Sequence, residues 1–133
     1  MEEPDFQLGV VSYGLYLPAG FESAEEIARR SGLSRAQVIE ELGVERKCWP
    51  SAEDLPVVMA VKAARQALER APGVDPGEID VVIWIGEEYK DYICQTAGIR
   101  VQEEVGARNA WGFDLIGQGT TSLVGLRAAQ DLM

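Results

Sequence analysis

Residues Phe113 to Leu126 read FDLIGQGTTSLVGL, and the fold turns on how this stretch is parsed. Asn109 to Leu115 predict a short buried strand, residues 117–119 a turn of small residues, and Thr120 to Leu132 an apolar helix. A strand that enters a tight turn and then a helix is how a chain presents one reactive group to a cleft. The turn lets backbone come close, and the unpaired N–H groups of the first helical turn favour negative charge. The apex here is Gly119, which carries no side chain. The arrangement is that of a nucleophile site without its nucleophile, or simply of a turn conformation that glycine adopts at little cost.

Working outward, the segment before this one repeats the alternation of strand and helix. Ile79 to Ile85 (IDVVIWI) is a nearly continuous apolar run, the pattern of a strand covered on both faces. Thr96 to Val105 predict an amphipathic helix ending at Gly106. Upstream, Ser51 and Asp54 mark a helix start, with Pro56 in its first turn. Val57, Val58, Ala60, Val61, Ala64, Ala67 and Leu68 then recur at helical spacing up to Pro72-Gly73. Gln7 to Leu17 (QLGVVSYGLYL) predict an opening strand closed by Pro18-Ala19-Gly20. Ser23 with Glu26 forms a capping box for a helix through Arg30. Ser34 with Gln37 starts another that stops at Gly43. Gly43 to Pro50 (GVERKCWP) has no periodicity and is expected to be a loop. Strands separated by helices imply an α/β domain, or part of one, with a mostly parallel sheet. The final helix is apolar around most of its circumference and is expected to be buried on several sides.

Composition narrows the chemistry. The chain has 133 residues, 47% of them apolar, and a formal charge of −10. That charge argues against nucleic acid or an anionic membrane as the main partner. No apolar run reaches the ~18 residues of a membrane helix. Cys48 and Cys94 are the only cysteines, and no histidine is present. The first excludes a disulfide framework and suits a reducing, cytoplasmic setting; together they leave no set of zinc ligands. Cys94 is expected to be a buried, inert thiol, and Cys48 to be structural.

In order along the chain, several motifs resemble thiolase-superfamily condensing enzymes. Gly9 to Pro18 resembles their opening strand, and Gly43-Val44-Glu45-Arg46-Lys47 with Pro50, Glu53 and Asp54 resembles the loop before their long helix. Met59-Ala60-Val61, Ala63-Ala64-Arg65 and Ala67-Leu68 resemble that helix. Ile79-Asp80 resembles the start of their second strand, and Phe113-Asp114 with Thr120 to Leu126 the flanks of their nucleophile. The two branches in question are 3-hydroxy-3-methylglutaryl-CoA synthase and ketoacyl-acyl-carrier-protein synthase III. The resemblance implies the N-terminal half of a layered α/β/α/β/α architecture, with the second half and its catalytic histidine outside this chain.

What the resemblance implies for the site can be stated residue by residue. Position 119 takes the place of the cysteine that accepts an acyl group from a thioester at the head of a buried helix, facing the reaction cavity. Glycine there, or Gln118 in a register shifted by one, forms no acyl-enzyme. Glu87, at the end of the Ile79 to Ile85 strand, matches a glutamate that acts as general acid and base in the hydroxymethylglutaryl-CoA branch. Glu88 departs from the small polar residue usual after it, and Glu87 to Asp91 also read as a solvated acidic loop. Arg46 and Lys47 are candidates to meet a phosphate of coenzyme A; the adenine clamp of the synthase III branch is not carried over, its positions falling near Gln37 and Glu41. No metal or resident cofactor is implied. The implied partners are an acyl-CoA or acyl-carrier-protein thioester, the missing half in cis or in trans, and a second copy paired through Ala110 to Leu115. Two other readings stand beside this one: a non-catalytic binding or scaffold homologue, and an independent α/β domain of similar architecture only.

Overall fold

A computed structural model describes residues 9–87 and 91–133. The chain divides into two compact units, Leu17–Leu55 on the one hand and Met1–Tyr16 with Pro56–Met133 on the other.

The smaller unit is built on two local caps. Strand β1 (Gly20–Ser23) leads into helix α1 (Ala24–Ser31), where Ser23 and Glu26 form the reciprocal capping box. The Ser23 N–H donates to Glu26 at 2.8 Å and the Glu26 N–H to the Ser23 hydroxyl at 3.3 Å. The helix stops at Gly32, whose φ of 76° gives the left-handed cap favoured by glycine. Ser34 and Gln37 cap each other in the same way. The element that follows, Gln37–Glu41, is a single π-type turn ending before Gly43, at φ 68°. Ala24, Ala28 and Val38 form this unit's core, with Ile27, Ile39 and Val44 packed around them.

The loop expected over Gly43 to Pro50 is instead partly a strand. β2 (Arg46–Trp49) pairs antiparallel with β1, Gly20 opposite Trp49 and Ser23 opposite Arg46. Neither four-residue strand alternates in polarity; the ladder forms because the two backbones supply each other's partners. Cation–aromatic contacts reinforce it, with the Arg30 guanidinium 4.9 Å from the Trp49 ring and that of Arg46 6.0 Å from Phe21.

The larger unit holds the parallel sheet. Helix α2 (Pro56–Glu69) starts after the Ser51–Asp54 turn, the Ser51 N–H donating to Asp54 at 2.9 Å. Strand β3 (Val81–Gly86), helix α3 (Ala97–Val105) and strand β4 (Trp111–Ile116) form a β–α–β unit. β3 and β4 are parallel and in register from Val81 opposite Trp111 to Gly86 opposite Ile116. Val57 and Val61 of α2 and Ala97 and Val101 of α3 form the core beneath the sheet, against Val82 and Trp84. α3 lies very close to β4, because Gly98 and Gly112 carry no Cβ. One at Gly98 would sit 2.7 Å from the Phe113 carbonyl oxygen, and one at Gly112 3.0 Å from the Gly98 carbonyl carbon.

Two expectations fail here. The described part of the opening segment, residues 9–17, is extended but forms no ladder; Gln7 and Leu8 lie outside the described residues. Its side-chain and backbone groups bond to α2 and the residue after it instead of to a strand. Ser12 donates to the Ala67 carbonyl at 2.7 Å, the Leu15 N–H to Gln66 at 2.8 Å, and Arg70 to the Tyr13 carbonyl at 3.0 Å. The final helix, α4 (Thr121–Leu132), is not buried on several sides: of its residues only Gly125 is buried. It touches the sheet along one line, and Leu123 and Leu126 are 66% and 63% exposed. Among the described residues no second layer lies over it.

Candidate functional site

Parallel pairing decides which residues meet. Because β3 and β4 run in the same direction, whatever follows Gly86 and whatever follows Ile116 emerges at the same end of the sheet. The ladder continues one bond further, the Gly117 N–H donating to the Gly86 carbonyl at 3.0 Å. Glu87 and the turn at Gly117, Gln118 and Gly119 therefore leave a shared edge, at the carboxyl ends of the strands, where open α/β sheets hold their ligands. Glu87 is exposed there. Glu88, its neighbour, lies outside the described residues, as do Tyr89 and Lys90.

The turn itself is built around two glycines with different duties. A Cβ at Gly117 would come 2.4 Å from the Thr121 hydroxyl, so the strand can leave the sheet there only without a side chain. Gly119 has φ 50°, the left-handed conformation, and open space where a Cβ would be. The turn closes through the Gln118 carbonyl, which accepts from the Thr121 N–H at 3.3 Å and the Thr121 hydroxyl at 3.2 Å. Thr120 caps α4 with no side-chain bond. Position 119 thus stands exposed just before the amino end of α4, which is itself half-uncovered rather than buried as the sequence implied.

Strand-end geometry is held by a residue that the local pattern does not reveal. Asp114, on β4, accepts from the N–H groups of Ala97 at 3.0 Å and Gly98 at 2.8 Å. It satisfies two of the donors at the start of α3, where Thr96 makes no side-chain cap. The only sequence signal for it is the Phe113-Asp114 pair. At the end of β3, Gly86 is a glycine because the Trp84 indole lies against it, 2.7 Å from a notional Cβ.

Arg46 and Lys47 are exposed on β2 of the smaller unit. Cys94 is exposed, contrary to the expected buried thiol, because it sits in the irregular approach to α3 rather than on its packed face. Cys48 is exposed on β2. No helix among the described residues is long and apolar enough to cross a membrane.

Comparison with known proteins adds the context for this edge. No family model matches the chain. The hydroxymethylglutaryl-CoA synthase of Thermococcus gammatolerans is 36% identical over 105 residues, 79% of this chain and 28% of that protein. The beta-ketoacyl-[acyl-carrier-protein] synthase III of Granulibacter bethesdensis is 31% identical over 106 residues, 80% of this chain and 32% of that protein. The crystal structure of the priming β-ketosynthase of a polyketide biosynthetic pathway superposes with a TM-score of 0.80 at 29% identity, over 96% of this chain and 40% of that one. In fold and sequence the chain is similar to the N-terminal part of the thiolase-like condensing enzymes. Within that class its sequence matches two branches, the hydroxymethylglutaryl-CoA synthases and ketoacyl synthase III. The matched region spans less than a third of the length of these relatives.

Proposed function

We propose that this chain is the N-terminal portion of a condensing acyltransferase of the hydroxymethylglutaryl-CoA synthase or ketoacyl synthase III type. Its substrates are acyl-CoA or acyl-carrier thioesters, and it is inactive alone. The observation that carries the reading is the shared strand end: Glu87 and the Gly117 to Thr120 turn emerge together, ahead of an apolar helix. In the family a thiol at position 119 takes the acyl group, favoured as thiolate by the helix N-terminus. Glu87 acts as the general acid and base, taking a proton from an acyl methyl group. Coenzyme A enters as part of the substrate, its phosphates met by Arg46 and Lys47, and no resident cofactor is required. Catalysis requires the complementary half, in cis or in trans, and the protein works in the cytoplasm as a homodimer.

The test is intact mass after incubation with acetyl-CoA. Because Cys48 and Cys94 are both exposed, the comparison is made with both replaced by serine. That background takes up no acetyl group, and adding Gly119→Cys gives one adduct, mapped to position 119. A thiol at 119 that is acylated no faster than Cys48 in the unaltered chain refutes the site. A second reading, a non-catalytic homologue that pairs with an active enzyme, is favoured by Gly119 itself, whose φ of 50° suits glycine. A full-length context that remains inactive after Gly119→Cys favours it.

A further inference from the structure

We propose that Asp91 is a positioning residue for Glu87. Its carboxylate, bonded to the start of α2, fixes the chain just beyond Glu87 and so holds that residue at the strand end it shares with position 119. The inference rests on the reading of Glu87 as general acid and base, and adds the group that keeps it in place.

Glu87 to Asp91 read in the sequence as a solvated acidic loop, and Asp91 departs from that reading. Its carboxylate accepts from the Val57 N–H at 3.1 Å, across 34 positions of the chain. The residue is half-buried, whereas Tyr92, Ile93 and Cys94 after it are exposed. The choice of donor follows from the helix. α2 opens on Pro56, which has no N–H, so Val57 carries the first donor of a turn whose amides lack partners inside the helix. The Asp54 carboxylate, nearer in sequence, accepts instead from the Ser51 N–H and hydroxyl at 2.9 and 2.7 Å.

The helix end is a firm anchor. Val57 is 2% exposed and shares its core cluster with Ala97, against which Trp84 of β3 packs. An amide on so buried a residue is costly to leave unpaired, which keeps Asp91 in place. On the other side of Glu87, Gly86 is held in the sheet, its carbonyl accepting from the Gly117 N–H at 3.0 Å. Glu87 therefore lies between two fixed points, one on the sheet and one on α2. The chain from Glu87 to Asp91 reaches at most ~14 Å, so the second point confines what the first leaves free to swing. A carboxylate that moves a proton needs such confinement, since a misplacement of about 1 Å costs on the order of a hundredfold in rate. Asp91 itself is turned to α2 and acts through Glu87.

The test is a distance. In the chain with Cys48 and Cys94 replaced by serine, nitroxides are attached at Glu87→Cys and Gly119→Cys, and their dipolar broadening is read in frozen solution. The labelled chain is expected to give one short distance of narrow spread. Asp91→Ala is expected to widen that spread by about 40%, the square-root growth when the fixed point beyond Glu87 moves from residue 91 to the half-buried Gln95. Asp91→Asn, whose amide oxygen still accepts from the Val57 N–H, keeps the narrow spread. An unchanged spread in Asp91→Ala, with faster exchange of the Val57 amide, overturns the proposal, because Asp91 then caps α2 and nothing more. Equal widening in Asp91→Asn and Asp91→Ala overturns it too, since the hydrogen bond is then not the cause. Loss of the far-UV helix signal in Asp91→Ala does the same, because Asp91 then carries the fold rather than the place of one residue. No broadening in the starting chain removes the shared edge and the proposal with it. The expected widening with no acylation at Gly119→Cys would sink the chemistry alone; acylation without any effect of Asp91 would sink only the positioning.

Discussion

At residue 119 a single dihedral weighs equally on stability and on chemistry. With φ at 50° and nothing near a notional Cβ, any L-residue fits sterically but adopts the left-handed conformation at a cost of ~1–2 kcal/mol. Gly119→Ala is therefore expected to lower the free energy of unfolding in urea by that amount while leaving the spectrum of the folded protein unchanged. Gly117→Ala is different in kind, since its Cβ would lie 2.4 Å from the Thr121 hydroxyl and break the closure of the turn. It should cost more than Gly119→Ala and perturb the amide signals of Thr121 and its neighbours. Equal costs for the two substitutions would show that the turn does not have the geometry described. Position 119 therefore has room for a thiol, so the nucleophile that the proposed function requires there is a matter of side chain rather than of backbone.

Elements in this chain are held by caps of two ranges, which differ in how visible they are beforehand. In α1 the Ser23–Glu26 box is local, and the Ser23 backbone N–H, followed by its hydroxyl, holds the Glu26 carboxyl below the ordinary carboxylate range. A folded-state value below the unfolded one means that stability is present above the unfolded value and lost as pH falls through the folded one. Glu26→Gln should thus lower the urea midpoint at neutral pH, and the gap should close as the medium is acidified below the usual glutamate range. A gap that stays constant with pH would contradict the charged cap. The α3 cap is long-range, formed by Asp114 from the next strand. Asp114→Ala leaves two amide donors unsatisfied and is expected to cost about 2 kcal/mol, with faster hydrogen exchange at Ala97 and Gly98. The capping boxes, the β–α–β order and the parallel sheet were legible because each depends on residues within a few positions or on an uninterrupted apolar run. Asp114 was not, because its partners lie sixteen and seventeen residues away. Nor were β1 and β2, since GFES and RKCW have no periodicity and become strands only by pairing. Of the candidate site, the parallel register brings the strand ends before Glu87 and Gly119 to one edge, as alternating strand and helix implies, but the exposure of α4 depends on what lies beside it, which no helical pattern encodes.

For the whole molecule, association is a contest between an apolar edge and a large like charge. β4 pairs with β3 on one side, and among the described residues its outer edge has no strand. Trp111 is 54% exposed there, stacked on Phe113 at 5.1 Å. Pairing of Ala110 to Leu115 with the same residues of a second copy across a two-fold axis would complete the backbone bonds and cover the rings. Against this stands a charge of −10 on each chain, whose repulsion falls off over ~10 Å at 0.1 M salt. The homodimer should therefore tighten as salt is added, the reverse of an interface held by ion pairs. Light scattering at micromolar concentration is expected to give the dimer mass at moderate salt and a growing monomer fraction as salt is removed. Trp111→Arg removes the stacked ring and sets a hydrated charge on the edge itself, facing its own copy across the two-fold axis, so it should yield monomer at every salt concentration. A wild-type chain that stays monomeric throughout, or a dimer indifferent to Trp111→Arg, would remove β4 as the pairing edge.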